Sequence, residues 1–337
     1  MFVTRIRNAG GHFFRQTLGL SASTNKTTAT RPTLKMSKAK HSSSIYADFN
    51  RKSRQAHPNV VAKVLNPGLS EAYCDGIFSS ESFLPNGHLT VSAILTALDL
   101  CAEMYWRESG PLYLDVAELG SLAFITSLQL SCEPELYNCD IAKQPVKVVN
   151  ELVLVGNTSF KTRVKLFLPE VNKPVAQKEM FTVLVDQNTR KPAAPPAWWR
   201  DKHLPYSRTG EKRIPPPPFD FSTWTGSKQQ EDVYVLTMDV DANRHCHFTA
   251  FVRFCCEAYG RSQFRQFGHT SRGDPFRDVK SLVCAFKGEA SLGDLLKVCF
   301  VQDVKDSDTY HFQIVNPQET VIFECCLTFF PQFHSKI

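Results

Sequence analysis

The chain has 337 residues, of which 42% are hydrophobic and 21% charged. Because this length exceeds the usual size of a domain with a single hydrophobic core, it predicts two domains. No run of about 18 apolar residues is present, which argues against a transmembrane helix. The positive net charge of +6 comes from residues 1–47, which hold eight Lys and Arg and no Asp or Glu. The rest of the chain therefore has a net charge of 6 − 8 = −2. A nearly neutral body argues against nucleic acid as the main partner.

The first 45 residues are basic and rich in Ser, Thr and Ala, with Arg5, Arg7 and Arg15 spaced among apolar side chains. This composition is typical of an organellar transit peptide and predicts a mitochondrial protein. A disordered basic tail is the alternative. Translation from Met36 would remove most of the signal and leave a cytoplasmic protein.

The first half of the body, residues 46–190, contains a long apolar segment that predicts a buried helix. Its apolar residues recur every three or four positions, at Leu89, Ala93, Ala97, Leu100 and Met104. Runs rich in β-branched and aromatic residues predict strands at 112–119, 122–132, 146–156, 159–168 and 175–185. The dipeptide Gly156-Asn157 predicts a hairpin turn.

Residues 191–230 are rich in proline and include the run Pro215–Pro218. Proline disfavours helix interiors and central strands, so this region is predicted to be a linker of polyproline type without regular helix. Its aromatic residues predict that it packs on the domains: Trp198, Trp199, Phe219, Phe221 and Trp224.

The second half, residues 231–333, repeats the order of the first. A strand is predicted at 232–240, a helix at 248–267, and further strands at 280–286, 295–301, 310–315 and 320–330. Short connections favour antiparallel pairing, so we predict an α+β fold in which each half has a long helix wrapped by an antiparallel sheet. One face of the second helix is apolar: Phe251, Phe254, Cys255, Ala258 and Tyr259.

A short motif stands directly before each long helix: Asn86-Gly-His88 in the first half and Asn243-Arg-His245 in the second, 157 residues apart. The second copy is preceded by Asp241. In an extended segment Asp241, Asn243 and His245 would point into one pocket. N–H groups at the start of the following helix would suit a developing oxyanion. Helix capping by Asp241 or Asn243 is the alternative, and it explains one residue of the three.

The sequence Asp241-Ala-Asn243-Arg-His245 resembles the D-x-N-x-H motif of plant-type acyl-ACP thioesterases. The later stretch Phe286-Lys-Gly-Glu289 resembles the aromatic-basic-x-Glu stretch of the same family. In that family the Glu belongs to the catalytic set, so the resemblance nominates Glu289 beside the three motif residues. Asp241 would fix the geometry of the others.

The resemblance covers the layout of residues 46–333 and implies two fused hotdog domains that hydrolyse a fatty acyl thioester. Glu289 or His245 would accept a proton from an attacking water, while Asn243 would orient the water or polarise the carbonyl. A covalent route through a carboxylate is the alternative. Neither a metal nor a cofactor is expected. The family usually has Asn at the place of His247, and this difference leaves acyl-CoA and acyl-ACP open as substrates.

The first half lacks the acidic partners. Leu84 stands at the place of the motif's Asp, and an alignment of the strands after the two helices sets Gln129 opposite Glu289. We therefore expect a degenerate site that shapes the acyl tunnel, with substrate-binding roles for Asn86 and His88.

Basic residues between the second helix and the Glu289 strand are candidates for binding the carrier. Arg277 and Lys280 are predicted to hold its phosphate groups. A solvated loop is the alternative, because Asp274 and Asp278 offset part of the positive charge.

Two other functions stay open. A hotdog hydratase or dehydratase is expected to show Asp-x-Asn-Pro-x-His, and here Arg244 stands at the place of that proline. The other is a non-catalytic acyl-thioester-binding protein, against which the retained catalytic set argues.

His247 is predicted to be structural. Because fused domains already form an internal pair, a monomer and a homodimer are both consistent with the sequence.

Overall fold

The computed structural model describes residues 60–108, 121–137, 140–141, 144–186, 188–241, 245–268 and 275–331. The predicted transit peptide and the strand predicted at 112–119 lie outside these residues. All of the described residues belong to one compact unit of the chain, 40–337, so the boundaries predicted for two separate domains stay a prediction.

Each half of the chain contributes one long helix and a set of strands. The first half contains β1 (Val60–Asn66), β2 (Leu69–Cys74), α1 (Val91–Glu108), β3 (Ser121–Cys132), β4 (Val146–Val155), β5 (Ser159–Phe167) and β6 (Ala176–Asp186). The remainder contains α2 (Ala197–His203), β7 (Gln229–Tyr234), α3 (Phe248–Phe267), β8 (Val279–Phe286), β9 (Leu295–Gln302), β10 (Thr309–Val315) and β11 (Val321–Phe329).

The strands form one antiparallel sheet in the order β1-β2-β4-β5-β6-β3-β8-β11-β10-β9-β7. The halves meet where β3 pairs with β8, from Ser127 opposite Ala285 to Ser131 opposite Ser281. Outward from this seam the order β3-β6-β5-β4-β2 in one half matches β8-β11-β10-β9-β7 in the other. The predicted α+β architecture, a double hotdog with one long helix in each half, is confirmed.

The two long helices lie against the sheet and contact each other. The predicted apolar face of α3 is buried in full, with each of its five side chains at most 3% exposed. In α1, Ala97 is buried and Ala93 is partly buried against the same core. Burial of one large apolar side chain contributes about 1.5–3 kcal/mol, so these faces hold the helices to the sheet. No helix in the described part of the chain is long and apolar enough to cross a membrane.

The strand predicted at 232–240 is wrong in its second half. Strand β7 ends at Tyr234, and a 3-10 turn follows at Thr237–Asp239. The Asp239 carboxylate accepts a hydrogen bond from the Leu236 N–H at 2.7 Å, and the Asp239 N–H donates to the Leu236 carbonyl at 3.0 Å. A short acidic side chain that bonds to nearby backbone in this way competes with strand pairing.

The prediction that the linker excludes regular helix is also wrong, because it contains α2. Pro196 is the residue before this helix, where a missing N–H costs no helical hydrogen bond. The predicted packing of the linker on the body is confirmed for two aromatic residues. Trp199 is buried against Phe160 of β5, and Phe219 stacks on His311 of β10 with ring centroids 4.3 Å apart.

The segments before the two long helices are the same structure repeated. Helix α1 begins at Val91 and α3 at Phe248, and 248 − 91 = 157, the offset of the sequence motif. Three further features recur at this offset: the 3-10 turn (Ser80–Ser82 and Thr237–Asp239), the isolated antiparallel bridge (Phe83 with Leu89, Val240 with Cys246) and the backbone hydrogen bond that closes the loop (Leu84 to His88, Asp241 to His245).

Candidate active site

The loop of the D-x-N-x-H motif folds back on itself between β7 and α3. The Asp241 N–H donates to the His245 carbonyl at 2.9 Å, and the His245 N–H donates to Asp241 Oδ1 at 3.2 Å. Val240 and Cys246 form an antiparallel bridge around this closure. The predicted extended segment with alternating side chains is therefore wrong, because the chain turns here and Asp241 helps to close the turn. Asn243 lies outside the described residues, and its role stays a prediction.

His245 meets a carboxylate from the loop after β8. Its Nδ1 lies 3.6 Å from Oε1 of Glu289, and the Arg190 guanidinium donates to the same oxygen at 2.9 Å. Among the described residues, no protein group bonds to Glu289 Oε2. The side chains of His245, Glu289 and Arg190 are 37%, 38% and 47% exposed, so water reaches the group. The structure thus brings together the two residues that the sequence nominated as bases.

The main chain around Glu289 is held from two sides. On one side Gly288 donates to the Ile322 carbonyl at 3.1 Å, and a Cβ at Gly288 would lie 2.8 Å from the Ile322 Cγ2. On the other side His245 and Ser291 form an isolated antiparallel bridge. The glycine is needed because no side chain fits between this loop and β11, and the close approach fixes where Glu289 projects.

Arg190 belongs to the first half and stands in the turn that follows β6, with a φ of 58°. Asp186 holds this turn, since its Oδ1 accepts a hydrogen bond from the Thr189 N–H at 2.7 Å, and that bond lowers the pKa of Asp186 below its ordinary value. The Arg190 guanidinium also lies over the Phe124 ring of β3 at 4.9 Å. A turn of the first half therefore orients Glu289 of the second half.

The N-terminus of α3 is capped by His247. The N–H of Thr249 donates to its Nδ1 at 3.4 Å, and the N–H of Ala250 donates to its carbonyl at 2.9 Å. Capping by Asp241 or Asn243 is therefore wrong. Because the N–H groups of Thr249 and Ala250 are engaged in the cap, they do not face a substrate oxyanion as the sequence suggested.

A buried ion pair lies behind this cap. Lys178 of β6 has a fully buried side chain, and its Nζ donates to Asp99 Oδ1 of α1 at 2.9 Å. The second Asp99 oxygen lies 3.9 Å from Nε2 of His247. Burial lowers the pKa of His247, and this outweighs the nearby carboxylates of Asp99 and Asp241, which act in the opposite direction. A buried lysine needs an anionic partner, so α1 of the first half and the start of α3 share one charge network.

The first-half motif has polar partners from the second half. The Asn86 side chain donates to the Phe276 carbonyl at 2.9 Å. Nδ1 of His88 lies 2.8 and 2.9 Å from the two carboxylate oxygens of Asp278. The hydroxyl of Tyr137 donates to the carbonyl of the residue after Asp278 at 2.8 Å. Three side chains of the first half therefore hold the segment that leads into β8.

The residues predicted to bind the carrier phosphates lie at this end of β8. The Arg277 side chain is 7% exposed and pairs with Asp308. Lys280 is exposed at the start of β8, whereas Glu289 lies beyond its other end, so roughly 20 Å of strand separates the two. All four predicted substrate-binding residues thus lie around the first-half motif and away from Glu289. Their binding roles stay predictions.

The alignment that set Gln129 opposite Glu289 is wrong. Gln129 lies inside β3, where it is paired with Val283 of β8 and Glu179 of β6. Glu289 lies three residues beyond the end of β8. Among the described residues, the carboxylate that contacts His88 is that of Asp278, which belongs to the second half.

Sequence reasoning missed the contacts of Arg190, Asp278 and Lys178, whose partners are distant in the chain. Arg190 is 99 residues from its partner Glu289, and His88 is 190 residues from Asp278. No local pattern signals such pairs. A signal did exist for Lys178, because it alternates with the buried Ala176 on a core-facing side of β6.

No family model matches the chain, and no curated protein matches it in sequence. Among solved structures, it is similar to the 12:0-ACP thioesterase from Umbellularia californica, with a TM-score of 0.63 and 12% identity over 80% of this chain and 100% of that chain. It is also similar to an acyl-ACP thioesterase from Bacteroides thetaiotaomicron, with a TM-score of 0.57 and 14% identity over 78% and 98% of the two chains.

These similarities define the class: the chain is a double-hotdog protein whose fold is that of acyl-ACP thioesterases. Among the described residues no group of three or more His, Cys, Asp or Glu is placed to hold a metal ion.

Proposed function

We propose that this protein hydrolyses a fatty acyl thioester at the site formed by Asp241, His245 and Glu289. The observation that carries the proposal is the approach of Glu289 to the His245 ring, 3.6 Å from Nδ1, on partly exposed side chains. An imidazole and a carboxylate in this arrangement are suited to general acid–base work on a water molecule. The fold, shared with acyl-ACP thioesterases, supports the substrate class.

In the proposed reaction a water attacks the thioester carbonyl. Glu289 or His245 accepts the water proton while the new C–O bond forms, and the tetrahedral intermediate then breaks its C–S bond. The proton is returned to the departing sulfur, so the products are a fatty acid and a thiol. Oε2 of Glu289 is the carboxylate oxygen available to the water, since Oε1 is held by Arg190.

The proposed role of Asp241 is to position His245. Its Oδ1 accepts the His245 N–H and closes the loop, which fixes the imidazole relative to Glu289. We propose that Asn243 orients the water or polarises the carbonyl, as in the motif that it resembles.

The carrier is proposed to be either CoA or acyl carrier protein, and a substrate panel separates the two.

The test is thiol release from acyl-CoAs and acyl-ACPs of different chain lengths. Glu289→Gln is expected to lower kcat about 10²- to 10⁴-fold, the usual contribution of a general base. The matched control is Glu324→Gln in β11, which removes a carboxylate that pairs with Lys287, the residue directly after β8, and it is expected to retain activity. Equal activity of the Glu289→Gln variant and the wild-type chain would reject the proposed site, and hydration of an enoyl thioester without thiol release would reject hydrolysis.

We also propose that residues 1–45 direct the protein to mitochondria, from their basic, acid-free composition. Fusion of residues 1–45 to a fluorescent protein should give mitochondrial fluorescence. A fusion that begins at Met36 should remain in the cytoplasm. Cytoplasmic fluorescence from both fusions would contradict the proposal.

A further inference from the structure

A histidine and a carboxylate meet at the first-half motif in the geometry of a general-base pair. Nδ1 of His88 contacts both oxygens of Asp278 at 2.8 and 2.9 Å. A carboxylate at Nδ1 fixes the tautomer in which Nδ1 carries the hydrogen, and Nε2 is then the proton acceptor. Among the described residues no protein group bonds to Nε2 of His88.

A second His–Asp pair in the chain shows how a purely structural pair differs. His311 bonds to Asp303 through Nε2 at 2.8 Å, but its side chain is only 4% exposed and its ring stacks on Phe219. The His88 side chain is 33% exposed. A histidine that only stabilises the fold gains nothing from this exposure, whereas a base that meets a substrate needs it.

The surroundings of His88 match those of a thioester site. By the offset of 157 residues, His88 occupies the place of His245, and in both rings Nδ1 faces a carboxylate. The Tyr137 ring lies 5.9 Å from the His88 ring and provides an apolar wall. Lys280 is exposed two residues after Asp278, on the same side of the extended chain, where its ammonium group is placed to meet a carrier phosphate.

We propose that His88 and Asp278 form a second site of acyl thioester hydrolysis, built from both halves of the chain. The proposal rests on the proposed function for its substrate class. Nε2 of His88 takes a proton from water as the water oxygen bonds to the carbonyl carbon. The intermediate then expels the thiolate, and the His88 imidazolium returns the proton to sulfur. Asp278 stays ionised throughout and stabilises the imidazolium.

The experiment measures residual thiol release in a full-length chain whose other site carries Glu289→Gln. This variant is expected to retain release above the rate in buffer. Addition of His88→Gln should lower that residual rate about 10²-fold, because glutamine still donates a hydrogen bond to Asp278 but takes no proton. The matched control adds His311→Gln instead, which alters the structural pair and should leave the residual rate unchanged. Circular dichroism establishes that each variant is folded at the assay temperature.

The outcomes separate the two proposals. An active wild-type chain with no release above buffer for Glu289→Gln overturns the second site and leaves the proposed function standing. The second site is also overturned by equal residual rates with and without His88→Gln, or by equal losses from His88→Gln and His311→Gln. An inactive wild-type chain overturns both proposals. If His88→Gln alone abolishes release and Glu289→Gln does not, the second site holds and the proposed one fails.

Discussion

The two halves place a histidine at the same point of the same backbone and give it different partners. His245 faces Glu289 of its own half at 3.6 Å, and that carboxylate is shared with Arg190 of the other half. His88 faces Asp278 of the other half, with its Nδ1 2.8 Å from a carboxylate oxygen. The repeat therefore preserves the main chain before each helix, while the carboxylate partner differs between the halves.

This difference shows that each site is formed where the two halves meet and contains residues of both. Arg190 and Phe124 reach the second-half site from the first half, and Asp278 reaches the first-half site from the second half. Strands β3 and β8 pair directly and β6 pairs with β3, so the turn after β6 and the segment before β8 bring each half to the other's motif. A half expressed alone would lack part of both sites.

The largest expected effect concerns the charge network that links the halves. Asp99→Asn should lower the free energy of unfolding by about 3–5 kcal/mol, because it leaves the fully buried Lys178 ammonium without its anion. Urea unfolding measures the change. The control is Glu133→Gln, which breaks a half-exposed pair with Lys173 and should cost less than about 1 kcal/mol. Equal losses in the two variants would mean that the network does not hold the halves together.

The next effect concerns the loop that carries Glu289. Gly288→Ala should lower the free energy of unfolding by about 1–3 kcal/mol, because its Cβ would lie 2.8 Å from the Ile322 side chain. The displaced loop should also carry Glu289 away from its position and lower kcat. Gly260→Ala in α3 is the control, since its Cβ would meet Pro275 at an ordinary 3.8 Å, and it should stabilise the chain by about 0.5–1 kcal/mol. Destabilisation by both substitutions would contradict the packing argument.

A smaller effect should follow from removal of the cation that pairs with Glu289. Arg190→Gln is expected to lower kcat about two- to five-fold, since a half-exposed ion pair contributes at most about 1 kcal/mol. Steady-state thiol release with and without the substitution measures it. Lys191→Gln removes the neighbouring exposed charge and should have no effect. A rate unchanged by Arg190→Gln would show that Glu289 is oriented by the main chain alone.

The smallest effect concerns the cap of α3. Because the pKa of His247 is lowered from 6.5 in the fold, the unfolded chain takes up a proton at higher pH than the folded chain. Stability should therefore fall as the pH drops below about 6.5 and level off below the folded pKa. His247→Asn keeps a capping residue but does not titrate, so its unfolding free energy should fall less over this range. Identical pH slopes for the two chains would contradict the assignment.

Local patterns in the sequence predicted most of the elements. Helix α3 begins and ends where predicted, at Phe248 and Phe267, because its apolar face repeats with the helical period and is buried as a unit. The hairpin at Gly156 also formed as predicted, with the Gly156 N–H bonded to the Ser159 carbonyl at 2.7 Å. Wherever a short repeat of side chains decided the structure, it could be read from the sequence.

The candidate site could be predicted only in part. His245 and Glu289 were found because the sequence resembles a known motif. The contacts of Arg190 and Asp278 could not be found, since they depend on which strands meet at the seam and in what register. The direction of the Asp241 side chain was mistaken for a similar reason: a turn closed by its own carboxylate looks like a strand end in sequence.

The most direct test of the account is a double-mutant cycle on thiol release with His245→Ala and Glu289→Gln. The cycle is run in a chain that also carries Asp278→Asn, so that hydrolysis at the first-half site does not add to the measured rate. If the imidazole and the carboxylate act on one water, each single substitution should abolish most of the rate, and the double variant should be no slower than the slower single variant. Losses that multiply independently, or a single substitution without effect, would contradict a shared site.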